Sequence, residues 1–310
     1  MPLYLYLDQR DLIDCVGNRA PLVRRRLETL VQIGRVQVIL SFAHVLENWK
    51  YRGSVGRSSL ADYADSLKPW WILNRDYLFQ EEARAAGYVR LGLPIRVSWT
   101  PSDEGQRMAG VGEANGCFCP FRRSLHEVFP QARYDTAHPR TGASLNFAGM
   151  VNAMDKIPEI PSGLLKLDEA YASSQPDSRS KRVPLASHKQ FVSYVFYEAF
   201  ADVSDQAAQL FSRLGATLDD LRCCPAVDTY LRVRRAIHAD AKARPDASEM
   251  EDVVHLVALP YVDAFSTDKR IADYIRRAKL FPSPYAPERV RGMNVFRHLT
   301  SALDWLEAHG

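Results

Sequence analysis

The sequence predicts an α/β fold: a parallel sheet flanked by helices and built from both ends of the chain, with a large, mainly helical insertion between its halves. Three observations predict it. Residues 1–56 alternate strand, helix, strand, helix, and residues 246–310 return to that alternation. Residues 57–245 do not show it. Each terminal piece is too small to be a domain alone, so the two are read as one sheet interrupted by residues 57–245.

Residues 3–7, "LYLYL", are apolar at every position, as in a central strand covered on both faces. Asp8 follows at its end. In "APLVRRRLETLVQI", residues 20–33, Leu22, Val23, Leu27, Leu30 and Val31 recur at helical spacing, and Gly34 stops the helix. "VQVIL", residues 36–40, reads as a second strand, and Ser41 caps a helix through "FAHVLENWKY". At the far end, "SEMEDVVHLVALP" reads as a helix closed by Pro260, and "YVDAFST", residues 261–267, as a strand. "DKRIADYIRRAKL" is a helix, "MNVFRHL" a last strand and "TSALDWLEAH" a last helix. Within the middle, "ADYADSLKPWWIL", "DYLFQEEARAAGYV", "HKQFVSYVFYEAFADVSDQAAQLFSRLG" and "AVDTYLRVRRAIHADAKAR" read as helical. "SDEGQRMAGVGEANGCFCP" reads as a mobile loop and "SSQPDSRSKRVP" as a linker.

The chain has 310 residues, 46% of them hydrophobic, enough for a substantial core. Lys and Arg total 40 against 37 Asp and Glu, a net charge of +3 that argues neither for nor against a nucleic-acid partner. No apolar run reaches the roughly 18 residues of a membrane span, and no basic segment precedes the first apolar run as in a signal peptide. Five cysteines, an odd number, suggest a reducing compartment and a cytoplasmic protein.

The acids carry the chemistry. Asp8 and Asp268 each fall at the carboxyl end of a strand, the edge where parallel sheets form ligand sites. Glu47 lies on the helix after the second strand, and Asp252 on the helix before the late strand. Carboxylates sharing one cleft raise each other's pKa unless a counter-charge is present. A hard divalent cation, Mg²⁺ or Mn²⁺, is such a charge and takes oxygen ligands. Each acid also has an ordinary reading. Asp8 can cap a turn, Glu47 can be a surface acid, Asp252 a first-turn acid favoured by the helix dipole, and Asp268 the N-cap of the next helix. Asp263, an acid inside an apolar strand, either joins the metal set or points outward on an edge.

Together "YLDQRDLID", "VILSFAHVLENWK" and "DVVHLVALPYVDAFSTDKR" resemble the successive motifs of the PIN-domain superfamily of metal-dependent nucleases. The resemblance implies a PIN-like sheet and hydrolysis of nucleic-acid phosphodiesters, RNA before DNA. It carries the catalytic acids onto Asp8, Glu47, Asp252 and Asp268, with Asp263 as an additional metal ligand. Gln9, Arg10, His44, His255, Thr267 and Lys269 become candidate substrate contacts. Gln9 and Arg10 depart from the small hydroxyl residue and Asn that often follow the family's first Asp. Three alternatives stay open: a non-catalytic PIN-like module that binds RNA or protein, a DNA nuclease of the same superfamily, and a toxin or phage-defence effector held silent by a regulatory protein. A homo-oligomer also stays open.

Other signals are weaker. "CFCP" at 117–120 and "CC" at 223–224 have the wrong spacing for a zinc site. Arg232, Arg235, His238 and Lys242 share a predicted helix face that suits either phosphates or solvent, and "RSKR" at 179–182 is a similar hint. Trp70 and Trp71 suit core packing better than base stacking. The Gly-rich loop lacks the Lys-Ser/Thr of a P-loop and reads as a lid.

Overall fold

The computed structural model describes residues 2–51, 56–73, 121–122, 224–238, 240, 252–278, 280 and 293–310, with residues 75, 78, 79, 82 and 83. In chain order these give β1 (Leu3–Tyr6), α1 (Gln9–Val16), α2 (Pro21–Gln32), β2 (Val36–Leu40), α3 (Phe42–Lys50), α4 (Arg57–Ser66) and β3 (Trp70–Ile72). They continue with β4 (Phe121–Arg122), α5 (Pro225–His238), a 3-10 helix (Leu256–Tyr261), β5 (Ala264–Ser266), α6 (Lys269–Ala278), β6 (Asn294–Phe296) and α7 (Leu299–His309).

The strands form one sheet in the order β4-β3-β2-β1-β5-β6. All neighbours are parallel except β4, which runs antiparallel to β3. β1 is central, and its alternation sorts residues between two cores. Tyr4 and Tyr6 face one core, with α5, the 3-10 helix and α6. Leu3, Leu5 and Leu7 face the other, with α1, α2, α4 and α7. The two-sided burial explains why this strand is apolar throughout.

The helices on each face follow from right-handed crossovers. The chain leaves β1 for β2 through α1 and α2 on one face, and leaves β5 for β6 through α6 on the other. Strand order therefore reverses between β1 and β5, and in such sheets the ligand crevice lies at the carboxyl ends of the strands there.

Local chemistry sets the boundaries. α2 starts with Pro21, whose missing N–H costs nothing in a first turn. It ends in a Schellman turn: Gly34 N–H bonds Val31 O and Arg35 N–H bonds Leu30 O, both at 3.0 Å. Gly34 sits at φ +71°, the left-handed region that glycine occupies without strain.

The structure differs from the sequence reading in the middle. "ADYADSLKPWWIL" is not one helix: α4 stops at Ser66, Lys68 takes φ +48°, and Trp70–Ile72 is a strand paired with Ile39 and Leu40. Pro69 follows the turn and cannot continue a helix. The sheet thus extends past residue 56, and α5 packs on the 3-10 helix and α6. Trp71 is core, and the half-buried Trp70 leans on Tyr4. The late helix is α-helical at 252–255 and tightens into the 3-10 segment, which holds Pro260. Arg232 of α5 pairs with Asp228 at 2.7 Å, while Lys242 lies outside the described residues. Also outside are the Gly-rich loop, "SSQPDSRSKRVP", "RSKR", the 188–215 helix, Cys117, Cys119 and Cys223; Cys224 is a buried free thiol. No helix among the described residues is long and apolar enough to cross a membrane.

Asp263 ties β5 to β1. Its N–H bonds Tyr4 O at 3.0 Å, and its Oδ2 accepts the Tyr4 N–H at 2.7 Å. Asp263→Ala strands a buried backbone donor, so unfolding in urea is expected to show a loss of about 2–3 kcal/mol with an unchanged m-value.

Candidate functional site

The crevice between β1 and β5 is lined by the starts of two helices. β1 and β5 each run into an acid and then a helix: Asp8 before α1, Asp268 before α6. Both acids are N-caps. Asp8 Oδ1 accepts the Arg10 N–H at 2.8 Å, and Asp268 Oδ1 accepts the N–H groups of Arg270 and Ile271, the latter at 2.9 Å. Each cap uses Oδ1 alone, leaving Oδ2 with no hydrogen bond among the described residues. Capping and ligand binding are therefore compatible roles for these two groups. The helix N-termini favour negative charge at both positions. Each cap is followed at the second helical position by an exposed arginine, Arg10 or Arg270.

Glu47 and Asp252 complete the set. The Asp252 carboxyl is pushed up to about 8, first by burial, then by the charges of Glu47, Asp268 and Asp8; Arg270 opposes the rise. Asp8 is raised too, chiefly by burial, with the Arg10 N–H and His255 opposing and Glu47 adding. The structure thus brings Asp8, Glu47, Asp252 and Asp268 within range of one another's charge. Glu47 is half-buried, with Oε1 3.0 Å from His255 Nε2.

Asp263 is not part of this set. It stands level with Tyr4, and Asp8 lies four residues further along the chain, past the end of β1. At about 3.3 Å per strand residue that is roughly 13 Å. Its carboxylate serves the ladder, which corrects the expectation of a fifth metal ligand and explains how an acid survives inside an apolar strand.

The expected substrate contacts divide. Arg10 and Lys269 are exposed on the rim, and Arg10 Nη2 bonds Arg297 O at 3.2 Å. Gln9 is only 8% exposed, and neither its Oε1 nor its Nε2 has a hydrogen-bond partner among the described residues. Thr267 is buried, with its N–H on Phe296 O. His44 is fully buried and cannot reach a substrate: Nε2 meets Leu7 O at 2.7 Å and Nδ1 takes the Ser41 N–H at 3.1 Å. Burial first, then His255, drives its pKa down to about 3, so the ring is neutral. His255 is also buried and turns its nitrogens to Glu47 and Tyr6.

Sequence reasoning missed Asp11, Tyr6, Ser266 and Arg270. Asp11 lies one helical turn after Asp8, and that i, i+3 spacing in "DQRD" was the available signal. Its carboxyl is pushed up to about 7, mainly by burial, with the Ser266 side chain opposing and Asp8 adding. Tyr6 carried no signal, because a strand tyrosine is usually core.

Four carboxylates give an all-oxygen donor set, the chemistry a hard divalent cation selects. A cation there would relieve the repulsion that raises Asp252. Among the described residues no three His, Cys, Asp or Glu side chains converge closely enough to hold an ion as they stand. No protein-family model, curated protein or solved structure matches the chain.

Asp11, Glu82 and Asp252, at about 7, 8 and 8, lie above the ordinary carboxyl values near 4. These three groups make the folded chain bind more protons than the unfolded chain between about pH 4 and 8, against one fewer at His44 below about pH 6.5. Their contribution is fully present below that window and is lost as pH rises through it. In metal-free buffer the Tm is expected to fall from pH 5.5 to 8.5. Asp11→Asn should flatten the fall below about pH 7, and a profile identical to wild type would contradict the buried state of Asp11.

Proposed function

We propose that the chain is a divalent-metal-dependent nuclease with a PIN-like sheet, hydrolysing nucleic-acid phosphodiesters. The observation that carries this reading is the gathering of Asp8, Glu47, Asp252 and Asp268 at the switch point between β1 and β5, with Asp252 raised to about 8 by burial and its acidic neighbours. Asp8 and Asp268 are held by their caps and present oxygens from rigid helix starts. Glu47 from α3 and Asp252 from the helical turn that carries His255 supply the other two carboxylates. When bound, Mg²⁺ or Mn²⁺ supplies Lewis acidity to water and to the phosphodiester. Arg10 and Lys269 on the rim suit phosphate oxygens, and Arg270 opposes the charge beside Asp252. In the net reaction water adds to phosphorus, the bond to the leaving sugar oxygen breaks, and that oxygen takes a proton. RNA is the first substrate by the superfamily resemblance, with DNA as the alternative. Residues 57–245 hold most of the chain outside the PIN-like motifs and would carry any regulatory contact.

A second reading is a non-catalytic module of the same fold that binds RNA or a protein. It is favoured by the absence, among the described residues, of three ligands already at ion-holding distances.

Labelled single-stranded RNA, single-stranded DNA and duplex DNA, each with Mn²⁺, Mg²⁺ or EDTA, separate the two. Wild type is expected to cut RNA only with metal. Asp8→Asn and Asp252→Asn should each lose at least about 100-fold, the upper end of what even outer-shell partners of a metal are worth. No cutting of any polymer, with no heat of Mn²⁺ binding, would transfer the assignment to the binding module.

A further inference from the structure

A buried chain of hydrogen bonds ends on Glu47. His255, 8% exposed, holds Nε2 at 3.0 Å from Glu47 Oε1. Its Nδ1 lies 2.6 Å from the Tyr6 hydroxyl, which in turn lies 2.6 Å from Ser41 Oγ. Ser41 Oγ is 3.3 Å from His44 Nδ1, and His44 Nε2 is 2.7 Å from Leu7 O.

The donors at the two ends of this chain follow from complementarity. The Leu7 carbonyl only accepts, so His44 Nε2 carries hydrogen. His44 Nδ1 accepts the Ser41 N–H and is bare. The ring thereby reaches back to the cap residue's amide, as glutamate does in a capping box. At the other end an ionised Glu47 only accepts, so His255 Nε2 donates to it. When His255 is neutral, Nδ1 accepts from Tyr6 and Tyr6 accepts from Ser41; when it is protonated, Nδ1 donates to Tyr6, Tyr6 to Ser41 Oγ and Ser41 to His44 Nδ1. In both states His255 Nε2 donates to Glu47.

The rings are also fixed mechanically. Tyr6 stacks on Phe265 with centroids 4.9 Å apart and planes 3° apart. The His255 ring stands edge-on to His44 at 4.7 Å and to Tyr6 at 5.7 Å. A phenylalanine would pack in place of Tyr6 equally well, so the hydroxyl adds only its hydrogen bonds. Those bonds lead through His255 to Glu47, which caps no helix and lies within α3, where a Glu side chain otherwise samples several rotamers.

We propose that His255 is a positioning residue that fixes the Glu47 carboxylate for metal binding, itself oriented by the Tyr6–Ser41–His44 chain. This rests on the reading of the acid set as a metal centre. Outer-shell hydrogen bonds to a ligating carboxylate set its orientation, and losing one costs 10–100-fold in metal affinity or activity in general.

The test is calorimetric titration of Mn²⁺ into the full chain, for wild type, Tyr6→Phe, His255→Ala and His255→Gln. Circular dichroism checks that each is folded. His255→Ala is expected to weaken Mn²⁺ binding by about 10–100-fold and Tyr6→Phe by about 10-fold. His255→Gln keeps an N–H donor near the Nε2 position and is expected to recover most of the affinity, which a merely structural role would not produce. If His255→Ala does not fold, Tyr6→Phe decides alone, since its packing is conserved. Wild-type affinity in folded Tyr6→Phe, or equal loss in the Ala and Gln variants, overturns the positioning role and leaves the metal centre standing. No Mn²⁺ binding by wild type overturns the metal centre and the positioning role with it.

Discussion

The pairing of β1 with β5 is the constraint on which everything else depends. Leu5 faces Ala264 and Tyr6 faces Phe265, so segments more than 250 residues apart become neighbours. Two bonds between Tyr4 and Asp263 close this pairing at its amino end. Because side chains alternate along a strand, a slip of one residue would turn Tyr6 away from His255 and into the opposite core. The same slip would carry Asp268 out of step with Asp8. The buried Asp263 carboxylate is thus far from the acid set and still decides its geometry.

Electrostatics and backbone polarity pull in opposite directions at the crevice. Burial and mutual repulsion penalise each added negative charge, as the raised values of Asp252 and Asp8 record. Two helix starts answer part of that cost, since their unpaired N–H groups need acceptors and their dipoles favour anions. Arg270 beside Asp252, and His255 and Arg10 beside Asp8, oppose a further part of it.

Much of this was legible in the sequence, and what was not has physical reasons. The apolar run 3–7, the helix over 20–33 and the strand 36–40 are all present, because each has one dominant period or none. The strand Trp70–Ile72 was hidden because three apolar residues after a helical stretch fit the continuing helix as well as a strand. Asp8 and Asp268 were visible as strand-end acids, and their capping role was visible too; the structure adds that each cap engages Oδ1 alone. Asp263, His44 and His255 could not be sorted from sequence. Whether a polar side chain meets a backbone amide, another ring or open crevice depends on which strands are neighbours, and that order is set by contacts between opposite ends of the chain. Asp11 was hidden differently, as one more acid in an acid-rich helix start, made unusual by its burial under β5.

The separation of the acids along the chain also has a consequence in time. Asp8 and Glu47 leave the ribosome early, whereas Asp252 and Asp268 follow some 200 residues later. Contacts so distant in sequence form late, because the intervening loop must close before they return any stabilisation. A growing chain therefore carries half of the acid set for most of its synthesis, with β1 lacking its neighbour on one side. The four acids can come together only once the segments on both sides of the insertion have been made and β1 has paired with β5.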